Sequence, residues 1–149
     1  RCGLRTGSLG AAWRTARHLG FRPRIAEAAA LASEYDVHAM IDLSDGLSVD
    51  LGHICEASGV GAVVAAESVP IHPDARALND PLAAALGDGE DYELLLAIPP
   101  EEADRLLRDQ PLGVPVSRIG TFVEGRELTL VHADGRREAL KPTGWEHRT

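Results

Sequence analysis

Two carboxylates and a hydroxyl, those of Asp42, Asp45 and Ser44, stand at the end of the short apolar stretch 37–43. The stretch is rich in β-forming residues and predicts a strand, and the residues after Gly46 place apolar side chains at helical spacing. Carboxylates at such a junction can share a hard cation such as Mg²⁺, while a hydroxyl and helix amides can hold a phosphate. Ser44 or Asp45 is the predicted N-cap of this helix. The alternative is that capping is the only role of Ser44 and Asp45, while Asp42 anchors the turn.

A second acidic cluster precedes another apolar stretch. Residues 87–93 contain four carboxylates and two glycines, and the apolar run 94–98 follows at once. Carboxylates crowded in this way repel one another, so a cation or a donor-rich ligand is expected nearby. A solvated turn would explain the glycines and one or two acids. We therefore assign a functional role to Glu90 and Asp91, with Asp88 weaker, whereas Glu93 is also explained as an outward residue of the strand.

The elements that position these residues follow from hydrophobic periodicity and turn signals. The first predicted helix starts after Pro23 and ends near Tyr35, and its predicted buried residues are Ile25, Ala28, Ala29, Leu31 and Ala32. The other predicted helices are 47–57, 74–78, 81–86 and 99–109. Gly59 is the predicted stop of helix 47–57. The predicted strands are 37–43, 61–66, 92–98, 116–123 and 127–132, the last two forming a hairpin around 124–126, with a tight turn at 133–136.

Strands and helices alternate at first and the chain ends in a predicted hairpin. This mixture favours an α+β fold, an α/β sandwich in which helices flank a mixed β-sheet, over a purely parallel sheet. The 149 residues fit one domain that can bury roughly 70% of its unfolded surface.

The composition limits the partners. With 23 acids against 15 Lys and Arg, and a net charge of −8, nucleic acid is an unfavourable partner, because phosphate backbones are bound through basic patches. The sequence contains neither an apolar run of about 20 residues nor a signal-peptide core, so we expect no membrane partner and a cytoplasmic location. Cys2 and Cys55 are too few and too scattered for a disulfide framework or a zinc site.

The basic residues gather near the start of the chain, where six arginines lie within the first 24 residues. We interpret residues 1–21 as a solvated lead-in and interdomain connection, and residues 22–149 as the folded domain. The functional alternative is that Arg17 or His18 reaches a phosphate across a domain interface.

The two acidic motifs together resemble a known family. Residues 42–47 and 89–94 are similar to the C-terminal half of the thiamine-monophosphate kinases, in the superfamily of aminoimidazole ribonucleotide synthetase, selenophosphate synthetase and a hydrogenase maturation protein. The similarity extends to 17–24, 119–120 and 144–147. Two separated motifs in the right order are more specific than either alone. The resemblance implies a C-terminal domain of the aminoimidazole ribonucleotide synthetase type, partly ferredoxin-like.

The resemblance also implies an activity, the transfer of the γ-phosphoryl group of ATP to thiamine monophosphate. Asp42 and Asp45 match carboxylates that bind Mg²⁺, and Ser44 matches a residue that contacts ATP. Glu90 matches a residue that holds the substrate, and Trp145 matches an aromatic that lies against it. By itself, a lone Trp near a terminus is as well explained as a packing anchor.

The chain departs from the family pattern in two places. Asp88-Gly89 stands where the family often has Gly-Gly, and Arg148 stands where a Phe is frequent. The added acid and the missing aromatic bear on substrate affinity and leave the predicted fold unchanged.

Family members carry an N-terminal domain with most of the remaining Mg²⁺-binding acids and the nucleotide-binding loops, and they dimerise mainly through it. We therefore expect the chain to be a fragment of a longer homodimeric protein, with its own N-terminal domain as a partner, and to turn over little or nothing alone. Two other interpretations stay open: a related ATP-dependent enzyme with another substrate, and a non-catalytic domain that keeps the fold.

Overall fold

A seven-stranded sheet organises the molecule in a computed structural model that describes residues 1–12 and 14–143. Within these residues the sheet order is β2-β4-β1-β5-β3-β6-β7, and every neighbouring pair is antiparallel except β3 and β6, which are parallel. The predicted mixed sheet is confirmed. The strands are β1 (Cys2–Thr6), β2 (Ala39–Asp42), β3 (Gly61–Ala65), β4 (Leu94–Ile98), β5 (Val116–Val123), β6 (Leu128–Val131) and β7 (Arg137–Ala139).

Helices cover both faces of the sheet. They are α1 (Ile25–Glu34), α2 (Leu47–Ser58), α3 (Pro81–Gly87) and α4 (Pro100–Asp109), with 3-10 turns at Arg17–Leu19, Ala66–Ser68 and Ala75–Ala77. Side chains of α2 and α3 share one apolar cluster with Leu95 of β4, and side chains of α1 and α4 share another with Leu94 and Leu96. Because successive side chains of a strand point to opposite faces, β4 is buried on both sides, which explains its uninterrupted apolar sequence.

The ends of α2 show how local sequence sets the elements. Gly59 adopts the left-handed conformation at the C-terminus, with φ 65° and ψ 32°, and its N–H bonds back to the last turn. The predicted stop is therefore confirmed. At the other end the N-cap is Gly46, with no side-chain capping bond. The prediction that Ser44 or Asp45 caps this helix is wrong.

The first strand, β1, was not predicted from the sequence. It lies in the middle of the sheet between β4 and β5, and all five of its residues are buried. The interpretation of this stretch as a solvated lead-in is wrong. Hydrophobic patterning did not predict this strand because Arg5 interrupts its apolar residues. In the structure Arg5 is fully buried, and its Nη1 group donates to the Pro70 carbonyl at 3.2 Å.

The predicted hairpin of β5 and β6 is also wrong, because β3 lies between the two strands. The chain crosses over so that β6 runs parallel to β3, with Ala62 opposite Leu128. A hairpin instead joins β6 to β7 through the predicted tight turn, where Gly135 has φ 83° and donates to the His132 carbonyl.

Helix α1 forms as predicted, but its buried face differs from the predicted stripe. Ile25 is 74% exposed, and the buried residues are Leu31 and the acidic Glu27. Glu27 lies 3.6 Å from the Arg24 guanidinium, so a nearby cation partly compensates its buried carboxylate, which hydrophobicity alone does not register.

Among the described residues, no helix has the length and apolar character required to cross a bilayer.

Substitution of Leu4 tests whether β1 belongs to the core. We expect Leu4→Ala to lower the free energy of unfolding by about 2–5 kcal/mol, because its side chain is fully buried among α1, α4 and β4 residues. Ile25→Ala, at the exposed position of the predicted stripe, should change it by no more than about 0.5 kcal/mol. Urea denaturation measures both, and equal effects would contradict this assignment.

Candidate active site

The two acidic motifs adjoin through backbone hydrogen bonds. The Glu90 N–H donates to the Ser44 carbonyl at 2.7 Å, and the Tyr92 N–H donates to the Leu43 carbonyl at 2.8 Å. The Leu43 N–H in turn donates to the Glu93 carbonyl at 2.8 Å. These bonds continue the antiparallel pairing of β2 and β4 past the ends of both strands. The motifs at 42–47 and 89–94 therefore form one continuous surface.

Glycine is needed where the motifs meet. A Cβ atom on Gly89 would lie 2.5 Å from the Ser44 carbonyl oxygen, and one on Gly46 would lie 2.9 Å from the Gly87 carbonyl oxygen. Gly46 also has φ 109°, a conformation that side chains rarely adopt. The close approach of the two motifs thus depends on these glycines.

Asp50, in the first turn of α2, was missed by sequence reasoning. Its carboxylate accepts hydrogen bonds from the N–H groups of Asp45 and Gly46, both at 3.1 Å. Burial raises the pKa of Asp50 to about 6, and the neighbouring Asp45 carboxylate adds to the rise. An acid in the first turn of a helix was the available signal, since carboxylates are favoured near helix N-termini.

The two predicted metal ligands, Asp42 and Asp45, differ in how far they are buried. Asp42 ends β2 and is exposed, whereas Asp45 is half-buried. Within the described residues, one group of three side chains has ligand atoms close enough to share a cation: Asp45, Asp50 and His53, within 4.8 Å of one another. Asp42 lies outside this group, so its shared metal site with Asp45 stays a prediction, as does the ATP contact of Ser44.

The acidic turn is neutralised by arginines from the start of the chain, beginning with Glu93. Its carboxylate accepts two hydrogen bonds from Arg24, at 2.8 and 2.9 Å, and one from the Thr6 hydroxyl at 2.7 Å. The side chain is buried, so the prediction of an outward orientation is wrong. Burial alone would raise the pKa of Glu93, but the hydrogen bonds from Arg24 and Thr6 outweigh it and lower the pKa.

Asp91 and Asp88 are held by two further arginines. Asp91 accepts hydrogen bonds from the Gly10 N–H and from Arg17, both at 2.8 Å. Burial raises the pKa of Asp91 to about 6, partly offset by these two donors. Asp88 accepts from the Ala11 N–H at 3.1 Å and pairs with Arg14 at 3.2 Å. The expected compensation of the acidic cluster is therefore supplied from within the chain.

Glu90 is the acid of this turn whose side chain faces open space. Its Oε2 atom lies 3.6 Å from Nε2 of His18, and its backbone is left-handed with φ 65°. Beside it lies a cavity of about 260 Å³. The rings of Phe21 and Tyr92 stack at this cavity with centroids 4.1 Å apart. A flat apolar surface, an exposed carboxylate and cationic side chains thus border one cavity.

Trp145 lies outside the described residues, and its predicted role stays a prediction. The chain reaches its last described residues beside α2, where the Thr143 N–H donates to the Ser48 hydroxyl at 3.1 Å.

Comparison with known proteins gives consistent matches. The family model described as "AIR synthase related protein, C-terminal domain" matches residues 15–133. A thiamine-monophosphate kinase of Rhodopirellula baltica is 39% identical over 147 residues, which cover 95% of this chain and 46% of the relative. One of Haemophilus influenzae is 45% identical over 112 residues, which cover 72% of this chain and 34% of the relative. The chain thus spans less than half the length of these curated relatives.

Solved structures show the same architecture. A thiamine-monophosphate kinase from Stenotrophomonas maltophilia superposes with a TM-score of 0.75 at 29% identity, over 91% of this chain and 50% of that chain. A structure described as "AaThiL complexed with AMPPCP and TMP" has a TM-score of 0.76 at 24% identity, over 99% and 51%. Escherichia coli HypE, a hydrogenase maturation protein, has a TM-score of 0.73 at 21% identity, over 94% and 48%. The last two show the fold alone.

Substitution of Gly89 tests the contact between the motifs. We expect Gly89→Ala to destabilise the chain by about 1–3 kcal/mol, because the added methyl group must displace the Ser44 carbonyl. Gly20→Ala is the control, since nothing lies within 4 Å of its Cβ position, and it should be neutral. Thermal unfolding of both variants measures the difference. A stable Gly89→Ala variant would mean that the motifs do not approach this closely.

Proposed function

This chain belongs to the family of AIR synthase related protein C-terminal domains, and on that premise we propose that it is the C-terminal domain of a thiamine-monophosphate kinase. The reaction would be transfer of the γ-phosphoryl group of ATP to thiamine monophosphate, giving thiamine diphosphate. The observation that carries the proposal is the backbone pairing of residues 43–44 with 90–93, which joins the two family motifs into one surface. The named relatives that match most of the chain support the substrate.

The side chains on this surface suit phosphoryl transfer. Such reactions depend on positioning and on neutralising the charge that develops, commonly by metal ions held on carboxylates. Asp42 and Asp45 would hold Mg²⁺, whose preferred ligands are oxygens, and Asp50 lies close enough to Asp45 to share it. The metal would neutralise phosphate charge. Ser44 would contact ATP, as the residue that it matches in the family pattern does.

Glu90 and Trp145 would bind thiamine monophosphate. Glu90 borders the cavity that contains the Phe21 and Tyr92 stack, and its exposed carboxylate could pair with a cationic ring. Asp91 and Glu93 already have arginine partners, which leaves Glu90 available for a ligand. The proposal therefore places the substrate at this cavity.

The relatives are about twice as long as this chain, so we propose that the catalytic unit includes an N-terminal domain that supplies further metal-binding acids, and that the full-length protein forms a homodimer. A related enzyme with another substrate is the competing proposal. Calorimetry of the full-length protein with thiamine monophosphate and with aminoimidazole-pathway intermediates, each with MgATP, separates the two.

Removal of either proposed metal ligand tests the function. In the full-length protein, Asp42→Asn and Asp45→Asn should each lower kcat for thiamine diphosphate formation by about 100-fold and leave the melting temperature nearly unchanged. Asp36→Asn is the control, because Asp36 is an exposed acid before the opposite end of β2. Product is measured by chromatography.

Two results would contradict the proposal. One is a full-length protein that forms no thiamine diphosphate, and the other is a loss of activity matched by loss of folding, which would make both acids structural. In the same assay the isolated 149-residue chain should give no product, and turnover by this chain alone would remove the proposed need for an N-terminal domain.

A further inference from the structure

Asp91 stands between two residues with left-handed backbones, in the middle of the turn that presents Glu90. The φ angles are 65° at Glu90 and 51° at Tyr92, and this conformation costs a non-glycine residue about 1–2 kcal/mol. A residue stays in such a conformation only where its surroundings hold it there. On one side, the backbone hydrogen bonds of Glu90 and Tyr92 to residues 43 and 44 fix these left-handed residues.

On the other side, hydrogen bonds of the Asp91 side chain fix the same residues. Its Oδ2 atom accepts from the Gly10 N–H and its Oδ1 atom accepts from Nη2 of Arg17, both at 2.8 Å. The same Nη2 donates to the Gly10 carbonyl at 3.0 Å, which closes a ring of three groups. Because only 3% of the Asp91 side chain is exposed, water competes little for these bonds.

Arg17 also determines what faces Glu90. Arg17 and His18 are neighbours in one 3-10 turn, and Glu90 and Asp91 are neighbours in the loop before β4. With Arg17 paired to Asp91, the His18 imidazole comes to lie 3.6 Å from the Glu90 carboxylate. All four residues line the same cavity. The ion pair, together with the contact of His18 Nδ1 with the Ala12 carbonyl at 3.2 Å, therefore sets the separation between Glu90 and the opposite wall.

We propose that Asp91 and Arg17 are positioning residues that hold Glu90 in the orientation in which it binds substrate, an inference that rests on the proposed function. Neither residue needs to touch the substrate, since both act through Glu90. The full network facing Asp91 comprises Arg17 and the Gly10 amide in direct contact and Arg5 at longer range.

The test is steady-state kinetics of the full-length protein with thiamine monophosphate and MgATP. We expect Asp91→Asn and Arg17→Gln each to raise KM for thiamine monophosphate by about tenfold while kcat stays within about twofold. A merely structural loss would reduce the amount of folded enzyme, which lowers the apparent kcat and leaves KM unchanged. Arg17→Lys keeps the charge and should recover part of the lost affinity.

Asp104→Asn is the matched control. Asp104 also pairs with an arginine, Arg118, yet it lies in α4 and does not line the cavity. It should leave KM within about twofold of the wild type. In a Glu90→Gln background, Asp91→Asn should raise KM no further, because its effect passes through Glu90.

Three outcomes overturn the inference: an unshifted KM in Asp91→Asn, an equal shift in Asp104→Asn, or effects of Glu90→Gln and Asp91→Asn that multiply. A wild-type protein that neither binds nor phosphorylates thiamine monophosphate contradicts the proposed function and removes this inference with it. If the wild-type protein turns over normally and the KM of Asp91→Asn is unshifted, this inference is overturned and the proposed function is not.

Discussion

The ion pair between the half-buried Arg24 and the buried Glu93 is the contact on which the arrangement of the site depends. It joins the residue before α1 to the residue before β4, and the Thr6 hydroxyl ties the same carboxylate to the end of β1 while accepting from the Leu94 N–H at 3.0 Å. Gly7 follows at once, and a Cβ atom there would collide with the Glu93 carboxylate. Three separate segments of the chain thus converge on one carboxylate.

This convergence determines where the neighbouring acids lie. Once Glu93 is fixed at the start of β4, the preceding turn must run back along residues 43–44, and Asp91 meets Arg17 and Gly10 on its other side. The arginines at the start of the chain therefore belong to the folded domain and neutralise acids that would otherwise repel one another. Glu90, without an arginine partner among the described contacts, is left facing the cavity.

Much of the fold could be predicted from local patterns, because they record burial and turn chemistry directly. The apolar run 94–98 predicts β4, the spacing after Gly46 predicts α2, and Gly59 predicts its end. The missed features depend on contacts between distant residues. Arg5 interrupts the apolar pattern of β1, so the pattern does not predict this strand. The parallel pairing of β6 with β3 leaves no local signal that distinguishes this arrangement from a hairpin of β5 and β6. At the site, the sequence identified both motifs but not their arginine partners, since charge pairing across about 70 positions follows from the fold.

A double-mutant cycle on Arg24 and Glu93 tests the central role of this ion pair most directly. The free energy of unfolding is measured by urea denaturation for the wild type, Arg24→Gln, Glu93→Gln and the double variant. We predict a coupling energy of about 2–3 kcal/mol, because Arg24→Gln leaves the buried Glu93 carboxylate without its cation. A coupling energy below about 0.5 kcal/mol, the range of independent sites, would contradict the account.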